Sequence, residues 1–204
     1  MSKKVAILIG PSGAGKTSIG KKLKKLGYQE LVSVTTRAMR EKEENGVNYY
    51  FVDSVSVFDS LDFLEESEYN GNKYGLLRKE FELKSSLSDK LFVVMEIKGA
   101  REFRKLMKQI GVKTVFFFIA PINSVHYFTA TGGSFDDRVV RERLELRGDP
   151  KDKIDSRINL SRELFESDKE ECDYVVLNES KSDHEIDMSL NFKASKIDQV
   201  LSEE

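Results

Sequence analysis

A glycine-rich segment near position 10 determines much of what the rest of the chain can do. It is preceded by a continuous apolar run, Val5–Ile9, and followed by apolar residues at helical spacing, Ile19 and Leu23. Glycines let a backbone curve closely around an anion, and the N–H groups of such a turn, with the helix behind it, supply positive potential. A phosphate-binding loop between a buried strand and a helix is therefore predicted. It reads Gly10-Pro11-Ser12-Gly13-Ala14-Gly15-Lys16-Thr17 and fits G-x-x-x-x-G-K-[ST] at every fixed position.

The expected ligand of this loop is a nucleoside triphosphate, and all eight of its residues are candidate ATP-binding residues. In loops of this spacing the lysine reaches the β- and γ-phosphates and the final hydroxyl ligates Mg²⁺. We therefore expect Lys16 to act in catalysis and Thr17 to be a metal ligand, with Mg²⁺ as the cofactor. The alternative is a glycine-rich turn that binds nothing.

A second metal ligand is expected where another strand ends. Glu96 directly follows the apolar run Leu91–Met95. A carboxylate in this place suits Mg²⁺, which keeps much of its water and takes few protein ligands. The alternative for Glu96 is a solvated carboxylate at the end of a strand.

Alternation of strands and helices predicts an α/β fold with a parallel sheet and helices on both faces. Continuous apolar runs are typical of central parallel strands, and helical patterns separate the runs in this chain. Two charged helical stretches, Phe135–Leu146 and Lys153–Ser167, flank Gly148-Asp149-Pro150. The predicted strands are Val5–Ile9, Leu91–Met95, Val115–Ala120 and Tyr174–Leu177.

Residues 32–90 break this rhythm and are predicted to form an inserted α+β lobe. Tyr49–Val52 predicts a short strand and Val57–Leu64 a short helix, while Asn70-Gly71 is a hairpin turn signal. Near the C-terminal end, apolar residues alternate from Ile186 to Phe192, which predicts a strand before a helix around Ile197–Leu201.

Composition excludes several classes of protein. The 204 residues carry 33 Lys and Arg against 35 Asp and Glu, a formal net charge of -2, which lacks the basic character of a nucleic-acid coat. The longest apolar stretch, Val115–Ala120, is too short to span a bilayer. A single cysteine, Cys172, allows no intrachain disulfide. We expect a cytoplasmic monomer or homodimer with neither a nucleic-acid nor a membrane partner.

Four more motifs follow the phosphate loop in a fixed order. The set is Ser33-Val34-Thr35-Thr36-Arg37-Ala38-Met39-Arg40, then Gly46-Val47-Asn48-Tyr49-Tyr50-Phe51, then Phe63-Leu64-Glu65, and then Gly71-Asn72-Lys73-Tyr74-Gly75. With these motifs the chain resembles the guanylate kinases, from the phosphate loop to about Asn178. The resemblance implies a P-loop kinase that uses ATP and Mg²⁺ to phosphorylate a nucleoside monophosphate, most simply GMP or dGMP.

The resemblance also implies roles for individual residues. Paired arginines can hold one phosphate dianion by bidentate hydrogen bonds, and a glutamate can accept from guanine N1–H and its amino group together. Lid arginines neutralise charge during transfer, and Asn178 is expected near adenine. The acceptor-binding residues implied are Ser33, Arg37, Arg40, Tyr49, Glu65 and Tyr74, and the catalytic arginines are Arg143, Arg147 and Arg157. The single domain would comprise a core (1–32, 91–125, 168–204), an acceptor-binding lobe (33–90) and a lid (about 135–167).

Three departures from the family pattern leave the acceptor open. Leu76 stands where a hydroxyl residue is usual, Val94 replaces the first acid of an Asp-x-Asp pair that ends at Glu96, and the connection 121–138 is longer than usual. One alternative is a kinase for another nucleoside monophosphate or phosphorylated metabolite. Another is a binding module that has lost catalysis, against which the intact loop with Lys16 and Thr17 argues.

Overall fold

The protein is described by a computed structural model that covers residues 3–122, 135–179 and 183–203. Positions 123–134, which make up most of the long connection noted above, lie outside the described residues. In chain order the elements are β1 (Lys4–Ile9), α1 (Lys16–Lys25), β2 (Gln29–Leu31), β3 (Val34–Thr35), β4 (Tyr50–Phe51), α2 (Val55–Asp59), β5 (Phe63–Tyr69), β6 (Asn72–Leu77), α3 (Arg78–Leu87), β7 (Lys90–Val94), α4 (Ile97–Gln109), β8 (Lys113–Ile122), α5 (Asp137–Leu146), α6 (Lys151–Glu170), β9 (Tyr174–Glu179) and α7 (Asp183–Glu203).

The larger sheet contains the four predicted strands and β2, in the order β2-β7-β1-β8-β9. Both β2 with β7 and β8 with β9 pair in parallel. Burial explains the continuous apolar runs of these strands, as expected: Val5–Ile9 is fully buried, and Val115–Ala120 is at most 2% exposed. The predicted α/β class with a parallel central sheet is confirmed.

The chain divides into two compact units, and β1 contributes to both. The first unit comprises residues 1–7 and 27–114, and the second comprises residues 8–26 and 115–204.

A second sheet, of order β4-β3-β6-β5, lies in the first unit. Strands β5 and β6 form an antiparallel hairpin whose turn holds Asn70 at φ 51° and Gly71 at φ 70°, as the Asn-Gly signal predicts. The predicted helix Val57–Leu64 is wrong at both ends. Helix α2 begins earlier because Ser54 caps it through the Val57 N–H, and it ends at Asp59 because Phe63 already pairs with Leu77 in the hairpin.

Helices dominate the second unit. Helices α5 and α6 pack through a buried cluster of Val140, Leu144, Ile154 and Ile158, and α7 packs against α1. The predicted strand over residues 186–192 is wrong, since Asp183–Glu203 is one helix. Over residues 188–203 its buried side chains are Leu190, Ala194, Ile197 and Leu201, spaced by four, three and four, whereas Met188 and Phe192 are exposed.

Candidate functional site

The loop Gly10–Thr17 adopts a conformation that requires its glycines. Gly10, Gly13 and Gly15 have φ of 140°, 77° and 95°, values that favour glycine. At Gly10 a Cβ would lie 2.5 Å from the carbonyl oxygen of Ile119, so a side chain there would displace either the loop or strand β8. The motif glycines therefore give the loop a backbone path that other residues cannot follow.

Lys16 is the first residue of α1 and its ammonium turns back over the loop. Its Nζ donates to the carbonyl oxygens of Gly10 at 2.5 Å and Pro11 at 3.0 Å. Thr17 is exposed in the same helical turn, which contains no acidic residue to offset the positive potential of the helix N-terminus. The predicted ATP-binding residues of this segment thus form a compact cationic turn.

Two residues distant in sequence contact this loop. Arg143 of α5 donates to the carbonyl oxygens of Gly13 at 3.1 Å and Ala14 at 3.4 Å, and to that of Asn178 at 3.0 Å. Burial lowers the pKa of the Arg143 guanidinium. The Asn178 side chain donates from Nδ2 to the Ala14 carbonyl oxygen at 2.6 Å and is buried. The sequence predicts Arg143 as a lid arginine and Asn178 as a residue near adenine, and in the structure both side chains contact the loop backbone.

The other two predicted lid arginines share one carboxylate. Arg147 Nε lies 2.5 Å from Asp149 Oδ2, and Arg157 Nη1 lies 3.4 Å from Asp149 Oδ1. The Asp149 side chain is only 3% exposed. Burial beside two cations makes Asp149 the residue that orders this pair. Sequence reasoning missed this role, although the Gly-Asp-Pro turn between the arginines marks the position.

In the first unit, Glu43 organises the two predicted phosphate-binding arginines. It accepts from Arg37 Nη2 at 2.8 Å and Nη1 at 3.0 Å, and from the backbone N and Nη1 of Arg40, both at 2.9 Å. Burial works to lower the pKa of Arg37, but its bonds to Glu43 raise that pKa overall. Burial likewise opposes the charge of Glu43, yet the arginine contacts lower its pKa. The cluster carries two cations and one anion, so a net positive charge is left for a phosphate.

Aromatic residues surround Arg37. Its guanidinium carbon lies 5.4 Å from the ring centroid of Tyr49, and the Tyr49 and Tyr74 rings meet edge to face at 5.8 Å. Burial raises the pKa of the Tyr49 phenol, which therefore stays a neutral donor at physiological pH. Ser33 is buried immediately before β3. Of the six predicted acceptor-binding residues, Tyr74 lies on β6, and Ser33 and Tyr49 directly precede β3 and β4. Arg37 and Arg40 lie in the connection between β3 and β4.

The sixth, Glu65 on β5, has an unusual environment. It is 6% exposed, and burial raises the pKa of its carboxyl to about 7. The carboxylate accepts a hydrogen bond from the Leu76 backbone N–H, while its Oε2 has no partner among the described residues. Gly99 makes room for this oxygen, because a Cβ there would lie 2.3 Å from it. Leu76, which replaces the family's hydroxyl, is fully buried and pairs with Glu65 across the hairpin.

A second buried glutamate of the first unit, Glu80 on α3, was not predicted. Its Oε1 accepts from the Val32 N–H at 3.1 Å and its Oε2 from the Tyr50 hydroxyl at 3.2 Å. Val32 precedes Ser33, and Tyr50 follows Tyr49. Glu80 therefore ties together the backbone that carries two predicted acceptor-binding residues. No sequence motif marks it, because its partners are far away along the chain.

The residues predicted to hold Mg²⁺ supply suitable donors. Thr17 is exposed at the start of α1, and Glu96 is partly exposed where β7 gives way to α4. A hydroxyl and a carboxylate are hard oxygen ligands, which Mg²⁺ prefers. No group of three or more His, Cys, Asp or Glu in the described ranges could hold a metal by itself. Such a cluster is not needed when substrate phosphates and water complete the coordination. Within those same ranges, no helix combines the length and apolarity needed to cross a membrane.

Comparison with known proteins gives a consistent result. The sequence model of the family described as guanylate kinase matches residues 2–188. A guanylate kinase of Prochlorococcus marinus is 35% identical over 180 residues, which cover 85% of this chain and 88% of the relative. A guanylate kinase of Anaplasma phagocytophilum has a similar crystal structure, with a TM-score of 0.65 and 25% identity over 98% of this chain and 86% of that one. The chain therefore belongs to the guanylate kinase family of P-loop kinases.

Proposed function

We propose that this kinase transfers the γ-phosphoryl group of ATP to GMP or dGMP. One observation carries the choice of base: Glu65 is buried and its Oε2 lacks a hydrogen-bond partner among the described residues. A buried polar atom without a partner is costly. Guanine offers the N1–H and the 2-amino group side by side, whereas adenine offers no such pair of donors. Each oxygen of a carboxylate has two lone pairs. The hydrogen bond from the Leu76 N–H uses one of these four, so the carboxylate can still accept from both guanine donors.

In this proposal the cationic cluster of the first unit binds the acceptor's phosphate. Arg37 and Arg40 supply guanidinium donors, and Tyr49 and Tyr74 supply phenol donors. Glu43 already holds both arginines in place, so little side-chain entropy is lost on binding. Ser33 donates to the guanine O6.

The loop Gly10–Thr17 binds the phosphates of ATP, with Asn178 at the adenine end. Lys16 neutralises charge on the transferring group, and Arg143, Arg147 and Arg157 add to it as the lid residues. The Arg157 Nε is buried with no hydrogen-bond partner in the described parts of the chain, which is a donor suited to phosphate. We further propose the domain division given above, with an acceptor lobe at 33–90 and a lid at about 135–167, in a cytoplasmic monomer or homodimer.

The chemistry needs few covalent steps from the protein, because the acceptor phosphate is itself the nucleophile. Catalysis is then positioning and charge neutralisation. Thr17 of the second unit and Glu96 of the first are each proposed as a Mg²⁺ ligand, and the bound ion would neutralise charge on the triphosphate. Within each unit, the side chains named above position one of the two nucleotide phosphates, and keeping water from the triphosphate would prevent hydrolysis of ATP.

The test is an ADP-release assay over a panel of nucleoside monophosphates, with wild type, Glu65→Gln and Leu76→Ser. GMP and dGMP should be preferred, and Glu65→Gln should lower kcat/KM for GMP at least about tenfold, since the new amide presents a donor to a guanine donor. Glu68→Gln, an exposed change on the same strand, is the matched control. Activity that ignores guanine nucleotides, with Glu65→Gln silent, would overturn the proposal.

A different acceptor remains the second candidate because of one observation. Leu76 is fully buried next to Glu65 and offers guanine no hydroxyl. A lost neutral hydrogen bond costs about 0.5–1.5 kcal/mol, so Leu76→Ser should improve GMP use by about two- to tenfold. The same panel of nucleoside monophosphates would identify a different acceptor as one that the enzyme phosphorylates faster than GMP.

A further inference from the structure

The C-terminal helix reaches the phosphate loop through one side chain. Lys193 of α7 donates from Nζ to the Asn178 Oδ1 at 3.1 Å and to the Ser189 hydroxyl, one turn earlier, at 2.5 Å. The Asn178 Nδ2 in turn donates to the Ala14 carbonyl oxygen at 2.6 Å. A continuous chain of hydrogen bonds therefore runs from α7 through β9 into the loop, within the second unit.

Lys193 determines which way the Asn178 amide faces. An ammonium can only donate, so the amide must turn its oxygen towards Lys193. Its NH₂ group then faces Ala14, whose carbonyl oxygen can only accept. If the amide were rotated by half a turn, donor would face donor at one end and acceptor would face acceptor at the other. Of these two contacts, only the one from Lys193 binds the Asn178 Oδ1, so its loss would leave that oxygen without this donor.

The loop is packed closely enough to respond to that amide. A Cβ on Gly15 would lie 2.2 Å from the Asn178 Nδ2, so the loop backbone and the amide are in direct contact. Asn178 is buried, and Arg143 donates to its backbone carbonyl oxygen. The amide thus has a fixed position as well as a fixed orientation.

We propose that Lys193 is a positioning residue of the ATP site, which holds the loop in its phosphate-binding conformation through the Asn178 amide. The inference rests on the proposed function for the identity of the nucleotide. Lys193 lies beyond residue 188, where the match to the family model ends. The assignment therefore comes from the contacts of this chain.

The experiment compares Lys193→Met, Lys193→Arg and the control Lys196→Met. Lys196 is on the same helix, is exposed, and donates to Gln199 in the next turn. Lys193→Met should raise the KM for ATP about tenfold, the loss of one hydrogen bond to a charged group, and leave the KM for GMP unchanged. Lys193→Arg should restore most of the ATP affinity, and Lys196→Met should match wild type. Thermal unfolding without nucleotide checks that each variant is folded.

Three further measurements test the link, and the first of them separates this inference from the proposed function. Direct titration with ATP alone reads the donor site even if GMP is not the acceptor, and Lys193→Met should weaken it by the same factor. In an Asn178→Ala background, Lys193→Met should add nothing, because the link is already broken. Ser189→Ala, a milder change, should shift ATP affinity in the same direction. An equal rise in both KM values, unchanged ATP affinity in Lys193→Met, or additive effects with Asn178→Ala would overturn the inference.

Discussion

At the scale of single residues, the raised pKa of Glu65 links acceptor use to pH. Burial raises that pKa to about 7, and guanine needs the ionised carboxylate as its acceptor. The kcat/KM for GMP should therefore fall about tenfold for each pH unit below 7, while ATP affinity by titration stays flat. Between pH 7 and about 6, above the second pKa of a phosphate monoester, this decline should be missing in Glu65→Gln, whose activity is low throughout. A wild-type profile that is level from pH 5.5 to 8 would contradict this role.

The same carboxyl affects stability with a definite sign. Its pKa of about 7 in the folded protein lies above the ordinary value of 4.5, so the fold favours the protonated form. Its stabilising contribution is complete below about pH 4.5 and is lost as pH rises through 7, by roughly 3 kcal/mol. Urea unfolding of wild type and Glu65→Gln should therefore diverge between pH 5 and 8, with wild type losing more. Parallel curves for the two proteins would show that the carboxyl is ionised in the fold throughout.

Lys16 is the residue whose loss should stop the reaction. Its ammonium lies over the loop carbonyls, where the phosphates of ATP are proposed to bind. Lys16→Ala should lower kcat at least about a hundredfold, because charge that develops in transfer is left uncompensated, with the melting temperature nearly unchanged. Lys21→Ala, exposed on the same helix, serves as the control. Near-normal turnover by Lys16→Ala would refute the proposed kinase mechanism.

At the scale of elements, α3 should support the acceptor site through Glu80. Glu80→Ala removes both acceptor oxygens and leaves the buried Val32 N–H without its partner from α3. We expect a loss of about 1–3 kcal/mol in the free energy of unfolding and a higher KM for GMP, with the KM for ATP unchanged. Glu82→Ala, exposed on the same helix, is the comparison. If both alanine variants behave alike, α3 has no such role.

The sequence predicts an element well when a single physical property, such as burial or a turn preference, determines its residue pattern. Val5–Ile9 and Val115–Ala120 are apolar throughout because they are buried throughout, and Asn70-Gly71 forms the turn that its backbone preferences favour. The helix α7 was misread because two apolar residues, Met188 and Phe192, lie on its exposed face. Leu190, which lies between these two in the sequence, is buried, so the three residues imitate the alternation of a strand.

Parts of the candidate site can also be predicted from the sequence, and other parts cannot. The phosphate loop is predictable because its residues are consecutive, and the acceptor motifs are predictable because they occur in the order of a known family. Glu80 accepts a hydrogen bond from Val32, 48 positions earlier in the sequence. The role of Gly99 becomes visible only in the structure, where its missing side chain leaves room for an oxygen of Glu65. Such partners are brought together by the tertiary fold, so local spacing does not reveal them. The roles given to the predicted site residues themselves stay predictions until the variants are assayed.

At the scale of the whole molecule, each nucleotide should protect its own compact unit. The donor loop, Arg143 and Asn178 all belong to the second unit, and the cluster around Arg37 belongs to the first. In hydrogen exchange, ATP should slow the amides of residues 10–17 and α5, whereas GMP should slow β3, β5 and β6. ADP should reproduce the ATP pattern at lower strength. Protection of the β5–β6 hairpin by ATP alone would place the donor in the wrong unit.

The packing of α1 against α7 has a consequence for how the protein is made. About 160 residues separate these two helices of the second unit. At about 5–20 residues per second, a ribosome needs on the order of ten seconds or more to pass from one to the other. All residues of the first unit have been synthesised by residue 114, and it can begin to fold while elongation continues. The phosphate loop emerges early, yet the lysine that steadies it is translated late, so the nascent chain has a donor site that is still incomplete.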